Sequence, residues 1–409
     1  MTQKLEVAII GAGIAGLASA ILLSRQGHRV TLYERFEASR PLGSGLMMQP
    51  TGLAALERLG LRAELESLGH RIERLYGRTN GAVIFDLAYA DLTPGLHAVA
   101  VHRASLHGVL WRGFESTAAA LETGCEITDV EFQAGGKCAP VDAKGRVRPA
   151  ADLVIDASGA RSPLRELVAG RGPRPFTYGA VWATVPDTGM AAGMLAQRYV
   201  AARIMIGYLP LGRIAAGGSP CAALFWSLKP ETYDSWRGGF DSWRDDAAKI
   251  WPEIAPVLPG LNGADQFTPA RYAHFTTPHI ARGHLLLIGD ASHMTSPQLG
   301  QGANQGLIDA VVLADALAAS ADVPAALQLF ARHRRRHVGF YQMASAVMTP
   351  FFQSDSRLLA MLRDLTFDRM KIVPYLRREM VRTLAGLKTG IFTAASAEQI
   401  VNCLAEPRR

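Results

Sequence analysis

The chain of 409 residues has few cysteines and no long apolar run. Its four cysteines, Cys125, Cys138, Cys221 and Cys403, form neither a Cys-x-x-Cys pair nor a metal-ligand spacing. This distribution argues against a disulfide framework and a metal site, and it predicts reduced thiols in a cytoplasmic protein. No apolar segment reaches the roughly 18 residues that span a bilayer. We therefore expect no integral membrane segment, and we interpret the short apolar run near the N-terminus as a first strand rather than a signal peptide.

Negative charge is in the minority. The chain has 43 Lys and Arg against 36 Asp and Glu, a formal net charge of +7. This balance favours anionic ligands or a loose peripheral contact with a membrane surface. We interpret the one dense basic cluster, residues 332–337, as the solvent-facing side of a helix, and we expect no nucleic-acid partner. At this length, domain sizes predict two or three folding units.

A glycine-rich turn follows the first apolar run. Gly11, Gly13 and Gly16 separate a strand-like segment from a helix-like one. In this arrangement the glycines permit a tight turn, close approach of the backbone to a pyrophosphate, and close packing of helix on strand. A second strand-like segment ends before Glu34, whose carboxylate suits ribose hydroxyls and repels a 2′-phosphate, although Arg35 weakens that repulsion. The pattern predicts a dinucleotide site that favours FAD or NAD over NADP.

Further strand and helix signals indicate an α/β fold with an added sheet. Strand-like runs lie at residues 71–90, where Asn80-Gly81 predicts a hairpin turn, and at 152–155, 181–185, 199–209, 222–228 and 285–288. Helix signals begin at Thr51, read as an N-cap, at Arg103 and near Gln301. Beyond about residue 348, two apolar stripes are expected to pack on the body of the protein: Leu358, Leu362 and Leu365, then Leu376, Met380, Leu384 and Leu387.

Two later motifs give the nucleotide site a specific meaning. The turn Asp156-Ala157-Ser158-Gly159 ends a strand and is followed by Arg165, and Gly289-Asp290 opens a second glycine-rich segment. Together with the glycine fingerprint formed by Gly11, Gly13 and Gly16, they make the chain resemble the class A flavoprotein monooxygenases, typified by p-hydroxybenzoate hydroxylase, over roughly residues 5–345. The resemblance implies FAD as cofactor, NAD(P)H and O2 as co-substrates, and hydroxylation of a small aromatic or heteroaromatic molecule through a flavin hydroperoxide.

The same resemblance implies a division of the chain. A Rossmann-like FAD-binding domain would comprise residues 1–70, 100–175 and 276–345. A mostly antiparallel β-sheet substrate domain, residues 71–99 and 176–275, would be inserted into it. Residues 346–409 would form a C-terminal helical region. Either a monomer or a homodimer is compatible with this organisation.

Site residues are carried over position by position. Asp290 would bind the ribityl chain, residues 300–304 would present N–H groups to the flavin ring, and Arg103 would contact the flavin at the start of a helix. The residues expected to bind FAD are Gly11, Gly13, Ala15, Gly16, Glu34, Arg35, Gly45, Arg103, Asp290, Gly300, Gly302, Ala303 and Asn304.

Catalytic and substrate residues are predicted from three places. Pro297 would lie beside the flavin face at which oxygen reacts, and Met48 and Gln49 belong to a segment that approaches the flavin in the family. Arg203 stands in an apolar run, where a buried guanidinium needs a partner and would hold a phenolate or carboxylate. Tyr208 would relay a proton.

One departure and one further likeness leave alternatives open. In the family an aspartate directly precedes the glycine of the middle motif, whereas here Ser158 does. That motif is linked to FAD and NAD(P)H binding in the family, and its Asp-Ala-Ser-Gly version also resembles related flavoproteins such as isoprenoid reductases. A non-oxygenase FAD-dependent reductase is therefore an alternative. The end of the chain, with Phe351-Phe352 and Leu362-Arg363, is similar to ubiquinone-pathway hydroxylases, so a hydroxylase or epoxidase of a lipophilic substrate is another.

Overall fold

A computed structural model describes residues 4–38, 45–79, 82–370 and 372–404. The strands are β1 Glu6–Ile10, β2 Arg29–Tyr33, β3 Gly45–Met48, β4 His70–Ile72, β5 Arg74–Arg78, β6 Val83–Ala88, β7 Ala98–His102, β8 Ala120–Glu122, β9 Ile127–Phe132, β10 Cys138–Asp142, β11 Leu153–Asp156, β12 Arg174–Pro175, β13 Gly179–Pro186, β14 Met194–Val200, β15 Ile204–Gly212, β16 Cys221–Leu228, β17 Phe267–Ala270, β18 Ala273–His274, β19 Ala281–Arg282 and β20 Leu285–Leu287. The helices are α1 Ile14–Arg25, α2 Pro50–Arg58, α3 Arg62–Leu68, α4 Arg103–Glu115, α5 Arg165–Ala169, α6 Tyr233–Gly238, α7 Phe240–Ile250, α8 Gly302–Ala319, α9 Val323–Phe352, α10 Arg357–Met370, α11 Pro374–Leu384 and α12 Ala397–Val401.

A six-stranded, mainly parallel sheet carries the sequence motifs. Its order is β19-β20-β11-β1-β2-β8, and β19 is an antiparallel edge strand. Strands β1, β2, β11 and β20 run parallel, so their carboxyl ends meet at one edge. Gly11, Glu34, Asp156 and Gly289 lie at those four ends. Ligands of open parallel sheets bind at such an edge, so the topology brings the three sequence motifs together.

A seven-stranded sheet forms the second layer, in the order β17-β13-β16-β15-β14-β5-β6. Its pairs are antiparallel except β14 with β5. Successive residues of β16 face opposite sides, as strand geometry requires. Trp226 packs against Trp243 of α7, and Phe225 faces the cluster that contains Tyr199 and Phe352. The tail helices therefore cover one face of this sheet, while α6 and α7 cover the other. The predicted second, largely antiparallel sheet is confirmed.

The C-terminal region returns to both layers of the molecule. Helix α9 packs on α8, α10 and α11 pack near β6, and α12 packs on α2 and α8. Ile400 and Val401 of α12 belong to the core cluster around the first sheet. None of the helices in the described part of the chain combines the length and the apolar composition that a membrane span requires.

Some local predictions are wrong. Helix α2 begins at Pro50 with Gln49 as N-cap, and the Thr51 hydroxyl has no hydrogen-bond partner, so Thr51 is not the cap. The run at 199–209 is two strands separated by a turn, in which Ala201 has a φ of 49°. The apolar pattern of the sequence continues through this turn, so the break between the two strands was not predicted. The predicted turn at Asn80-Gly81 lies outside the described residues, although β5 and β6 pair as expected.

Two predictions about exposure are also wrong in part. In the basic cluster 332–337, Arg334 and His337 are buried, because this side of α9 faces α8 and the tail. In the tail, Leu358, Leu362 and Leu365 are 59%, 37% and 51% exposed, so this stripe does not pack on the body. The second stripe, on α11, is half-buried against the protein as expected.

Candidate active site

The first glycine-rich turn has the geometry that its spacing predicts. The Gly11 N–H donates to the Tyr33 carbonyl at 2.7 Å, and Gly11 has a φ of 99°. A Cβ on Gly16 would lie 1.9 Å from the Gly11 oxygen, whereas one on Gly13 would meet nothing within 4 Å. Glu34 accepts a hydrogen bond from the Ala12 N–H at 2.8 Å. Gly16 therefore permits the helix to pack on the turn, and Gly13 leaves open space above it.

The second glycine-rich segment is packed directly against the first. A Cβ on Gly289 would lie 3.2 Å from the Cβ of Ala15, and one on Gly306 would lie 3.3 Å from the same atom. Ala15 thus fits between Gly289, which follows β20, and Gly306, which lies within α8. A larger side chain at either glycine would push α1 away. The packing fixes the fingerprint at the start of α1 beside Asp290.

A buried ionic cluster supports this junction. The Asp309 carboxylate accepts hydrogen bonds from the Gly289 N–H at 2.8 Å, from His293 at 2.6 Å and from Arg334 at 2.6 Å. Burial acts to raise the pKa of Asp309, but His293 and Arg334 outweigh it and hold that pKa well below its usual range. His293 therefore braces the loop through Asp309 and does not line the cavity.

The middle motif is joined to the Asp290 loop by an arginine. Arg165 donates to the carbonyls of Ala291 at 2.9 Å and of Asp290 and Gly159 at 3.0 Å. Ser158 donates to the buried Asp156 carboxylate through its N–H at 3.0 Å and its hydroxyl at 2.5 Å. The turn consequently presents Ser158, and not a carboxylate, at its surface.

A cavity of about 1160 Å³ runs from these motifs to the second sheet and the tail. This volume exceeds the range typical of drug-sized ligands, so it can hold a dinucleotide together with a small substrate. Most residues predicted to bind FAD line it: Gly11, Gly13, Ala15, Glu34, Arg35, Gly45, Arg103, Asp290, Gly300, Gly302 and Ala303. Pro297, predicted to lie beside the flavin, also lines it.

Two predicted FAD-binding residues lie behind the wall. Gly16 is at the packing contact described above. Asn304 is fully buried, and its side chain donates to the Met47 carbonyl at 3.0 Å and accepts from the Gln49 N–H at 2.9 Å. Asn304 therefore joins α8 to β3. Its side chain supports the cavity wall from behind and is not exposed to the cavity.

The predicted substrate residues do not face the cavity. Arg203 lies in the turn between β14 and β15, where its side chain is 54% exposed and pairs with Asp355 at 3.5 Å. Tyr208 is buried on the opposite face of its strand and donates to Asp187 at 2.8 Å. The first prediction failed because the unrecognised turn carries Arg203 out of the sheet, and the second because the side chains of a strand alternate.

Met48 and Gln49 are likewise turned away. Met48 is fully buried in the core around the first sheet, and the Gln49 side chain accepts from the Tyr89 hydroxyl at 2.6 Å. Their neighbours Leu46 and Met47 line the cavity instead. The segment reaches the site as predicted, with a different part of it exposed to the ligand.

Several residues of the cavity wall were missed. The indole of Trp182 donates to the Tyr272 hydroxyl at 2.9 Å, and both side chains line the cavity. Burial raises the pKa of the Tyr272 phenol, so it stays protonated. The tail contributes Met380 and the ion pair of Lys388 with Glu379. No spacing links these residues in sequence. Trp182 and Tyr272 come from the second sheet and an adjoining loop, whereas α11 and the segment after it carry Met380, Glu379 and Lys388 to the wall.

The donor groups of the wall fit FAD. Gly13 and Gly159 offer backbone beside open space, as a diphosphate requires. Glu34 offers a carboxylate for ribose, and the Asp290 carboxylate is exposed to the cavity. Helix α8 begins at Gly302 on the wall, and the first N–H groups of a helix lack intrahelical partners and carry partial positive charge. The contact of each of these residues with FAD stays a prediction.

Comparison with known proteins agrees with this arrangement. Residues 4–340 match the family model described as FAD binding domain. A 3-amino-4-hydroxybenzoate 2-monooxygenase of Streptomyces cremeus is 29% identical over 339 residues, which cover 79% of this chain and 81% of that protein. A Rhodococcus erythropolis protein, named as a candidate 2-heptyl-3-hydroxy-4(1H)-quinolone synthase, is 26% identical over 328 residues, or 78% and 81% of the two chains.

A solved structure shows the same fold. The Klebsiella pneumoniae protein HpxO, complexed with FAD and uric acid, superimposes with a TM-score of 0.78 at 21% identity, over 95% of this chain and 98% of that one. The expected α/β architecture is confirmed. By the extent of the family match, the chain belongs to the FAD binding domain family, and it is a class A FAD-dependent monooxygenase of the aromatic hydroxylase type.

Proposed function

We propose that this monooxygenase hydroxylates a lipophilic aromatic or heteroaromatic ring that carries no carboxylate. The observation that carries the proposal is the apolar wall of the cavity beyond the predicted flavin site. The second sheet and the tail contribute Leu75, Phe85, Leu195, Tyr199, Phe225 and Phe352 to it. An alkyl or isoprenoid substituent would be stabilised there by about 25 cal/mol for each Å² of apolar surface buried.

Charge on this part of the wall is largely neutralised among the described residues. The Lys388 ammonium lies 2.5 Å from the Glu379 carboxylate and also donates to the Ile391 carbonyl at 2.7 Å. Arg271 lines the cavity too, but it is exposed to solvent. A substrate carboxylate would lose its water without a buried, uncommitted cation to receive it. The wall therefore suits the heptyl-bearing ring named for the Rhodococcus relative better than the hydroxybenzoate named for the Streptomyces one.

Bound FAD would supply the redox chemistry, taking two electrons from a donor and passing them to O2, so that one oxygen atom enters the ring and the other leaves as water. The chain would position the reactants. The first turn of α8, at Gly302 and Ala303, places a positive helix end at the wall, which stabilises negative charge on a reduced ring. The apolar side chains exclude water, and the Tyr272 hydroxyl orients a polar atom of the substrate ring.

We propose NAD(P)H as the electron donor. It would meet the cavity near the middle motif, where Ser158 lies on the wall in place of the family's aspartate. A hydroxyl there repels the donor's phosphates less than a carboxylate would. We also propose a monomer or a homodimer in solution, which sedimentation velocity would distinguish.

The function is tested by NADH and NADPH oxidation with the purified yellow protein. The panel would pair alkylated phenols and quinolones with the same rings bearing a carboxylate, and product would be identified by mass spectrometry. We expect alkylated rings to accelerate flavin reduction and to gain one oxygen atom, with lower KM values than their carboxylated partners. Preference for the carboxylated rings would contradict the proposed substrate class. Flavin reduction without oxygen incorporation for any ring would instead support a reductase.

A further inference from the structure

The exposed apolar side chains of this protein are concentrated in one region. Among the described residues, 14 large apolar side chains are exposed, and 11 of them lie between residues 343 and 392. That segment is about an eighth of the chain, so the concentration is not a property of the surface in general. Large exposed apolar patches mark interaction surfaces.

Helix α10 faces solvent with its apolar side. Leu358, Met361, Leu362 and Leu365 have the i, i+3, i+4, i+7 spacing of one helix face, and all four are 37–59% exposed. The other side of the helix is occupied on the protein, where Phe367 is buried in the core beneath the tail. A helix with two apolar sides, only one of them covered, needs a second apolar surface.

A second group of exposed apolar side chains lies where the cavity opens to solvent. Met343, Val347, Tyr375, Ile391 and Phe392 are all exposed and all line the cavity, and Phe392 is 89% exposed. They come from α9, α11 and the segment after α11. We call these five residues the collar. It connects the outer surface of the tail with the apolar wall inside.

Positive charge accompanies these apolar groups. Arg336 is exposed on α9 and lies seven and eleven residues before Met343 and Val347, on the same side of the helix. On α10, Arg369 is exposed four residues after Leu365 and continues its stripe. Arg332, Arg335, Arg357 and Arg378 are exposed on the same three helices. Basic residues beside exposed apolar ones are typical of segments that lie in the interface of an anionic bilayer.

We propose that the tail docks on the surface of a bilayer that carries anionic lipid headgroups, with the collar facing the membrane. The α10 stripe and the collar enter the interface, and the arginines contact the headgroups. The contact is peripheral, since the described residues include no helix that could span a membrane. A second copy seated on the collar would cover an opening of the cavity, whereas a bilayer holds lipophilic substrate at that opening. This last step rests on the proposed function.

The test is sedimentation of the FAD-loaded protein with vesicles of phosphatidylcholine, alone or mixed with phosphatidylglycerol. We expect binding to the mixed vesicles that weakens in high salt. Because both leucines would leave water on docking, the double substitution Leu362→Ser with Leu365→Ser should weaken binding at least about tenfold, the equivalent of about 1.4 kcal/mol. Ile214→Ser, which removes an exposed apolar side chain elsewhere, should bind like the wild type.

The readout needs no substrate, so it is independent of the proposed function. Equal partition of the double variant and the wild type, or no binding to anionic vesicles, would overturn the docking proposal. Sedimentation velocity without lipid gives a further outcome: conversion of a dimer to a monomer by the double substitution would identify the stripe as a subunit interface instead. Turnover of a water-soluble ring should be unchanged in the double variant, since neither leucine lines the cavity.

Discussion

The indole N–H of Trp182 donates to the phenol oxygen of Tyr272 across 2.9 Å at the wall of the cavity. Because that oxygen accepts from Trp182, its own hydrogen is left to donate to a ligand. The raised pKa of Tyr272 keeps the hydrogen in place over the working pH range. Tyr272→Phe should therefore raise KM for the aromatic substrate about fivefold, the equivalent of one hydrogen bond of about 1 kcal/mol.

The Tyr272→Phe variant should also lose coupling, since a poorly held ring lets reduced oxygen leave as peroxide. Product formed per NAD(P)H consumed measures this. Trp182→Phe, which removes the donor but leaves the phenol, should have a smaller effect. A Tyr272→Phe variant with unchanged KM and coupling would show that the phenol does not contact the substrate.

The two later glycines of the fingerprint should respond differently to alanine. Gly13→Ala places a methyl group where nothing lies within 4 Å, so the apoprotein should keep its unfolding midpoint. The methyl group would enter the space predicted for the diphosphate and weaken FAD binding at least about tenfold, the equivalent of 1.4 kcal/mol. Flavin fluorescence titration of the apoprotein measures this. Undiminished affinity would place the diphosphate elsewhere.

Gly16→Ala should instead destabilise the fold. Its Cβ would lie 1.9 Å from the Gly11 carbonyl oxygen, and neither backbone can move without separating α1 from β1. We expect a loss of about 3 kcal/mol in the free energy of unfolding, at the upper end of the cost of overpacked core positions. Urea denaturation of the apoprotein checks it, and a midpoint like that of Gly13→Ala would contradict the packing.

His337 should make stability depend on pH. Burial, together with the Arg334 guanidinium, lowers its pKa from 6.5 to about 3. Between these values the unfolded chain binds a proton that the folded chain does not. This histidine therefore leaves the free energy of unfolding unchanged above about pH 6.5. As the pH falls from 6.5 towards 3, protonation of the unfolded chain lowers that free energy by up to about 1.4 kcal/mol per pH unit.

The matched variant is His337→Gln, which can still donate to the Gly386 carbonyl that His337 contacts at 2.8 Å. Urea denaturation between pH 7 and pH 4 should give a shallower pH dependence for this variant than for the wild type. Parallel profiles would show that the imidazole is already protonated in the folded protein.

The nucleotide half of the site could be predicted because its signals are local. A strand, a glycine turn and a helix occupy consecutive residues, and Glu34 follows the next strand directly. Parallel strands then bring Gly11 and Gly289 to one sheet edge whatever the rest of the fold does. These motifs can therefore be recognised in the sequence without knowledge of how side chains pack.

The substrate half could not be predicted because tertiary packing determines it. A turn at residues 201–203 removed Arg203 from the sheet, and strand alternation turned Tyr208 away. Trp182 lies on β13 and Tyr272 in the loop between β17 and β18, and Lys388 reaches the wall only because α11 folds back. None of these positions has a spacing that distinguishes it from an ordinary core residue.

Loss of FAD on substitution of Asp290 tests the central claim most directly. The Asp290 side chain is exposed to the cavity, and no hydrogen bond or ion pair joins it to another described side chain, so Asp290→Ala should fold normally. The control is Asp315→Ala, which removes a partly buried carboxylate that pairs with Arg58 and does not line the cavity. The measurement is the ratio of FAD to protein, by absorbance, after identical purification. The account predicts a nearly colourless Asp290→Ala protein beside a yellow control; an Asp290→Ala protein with its full complement of FAD would contradict it.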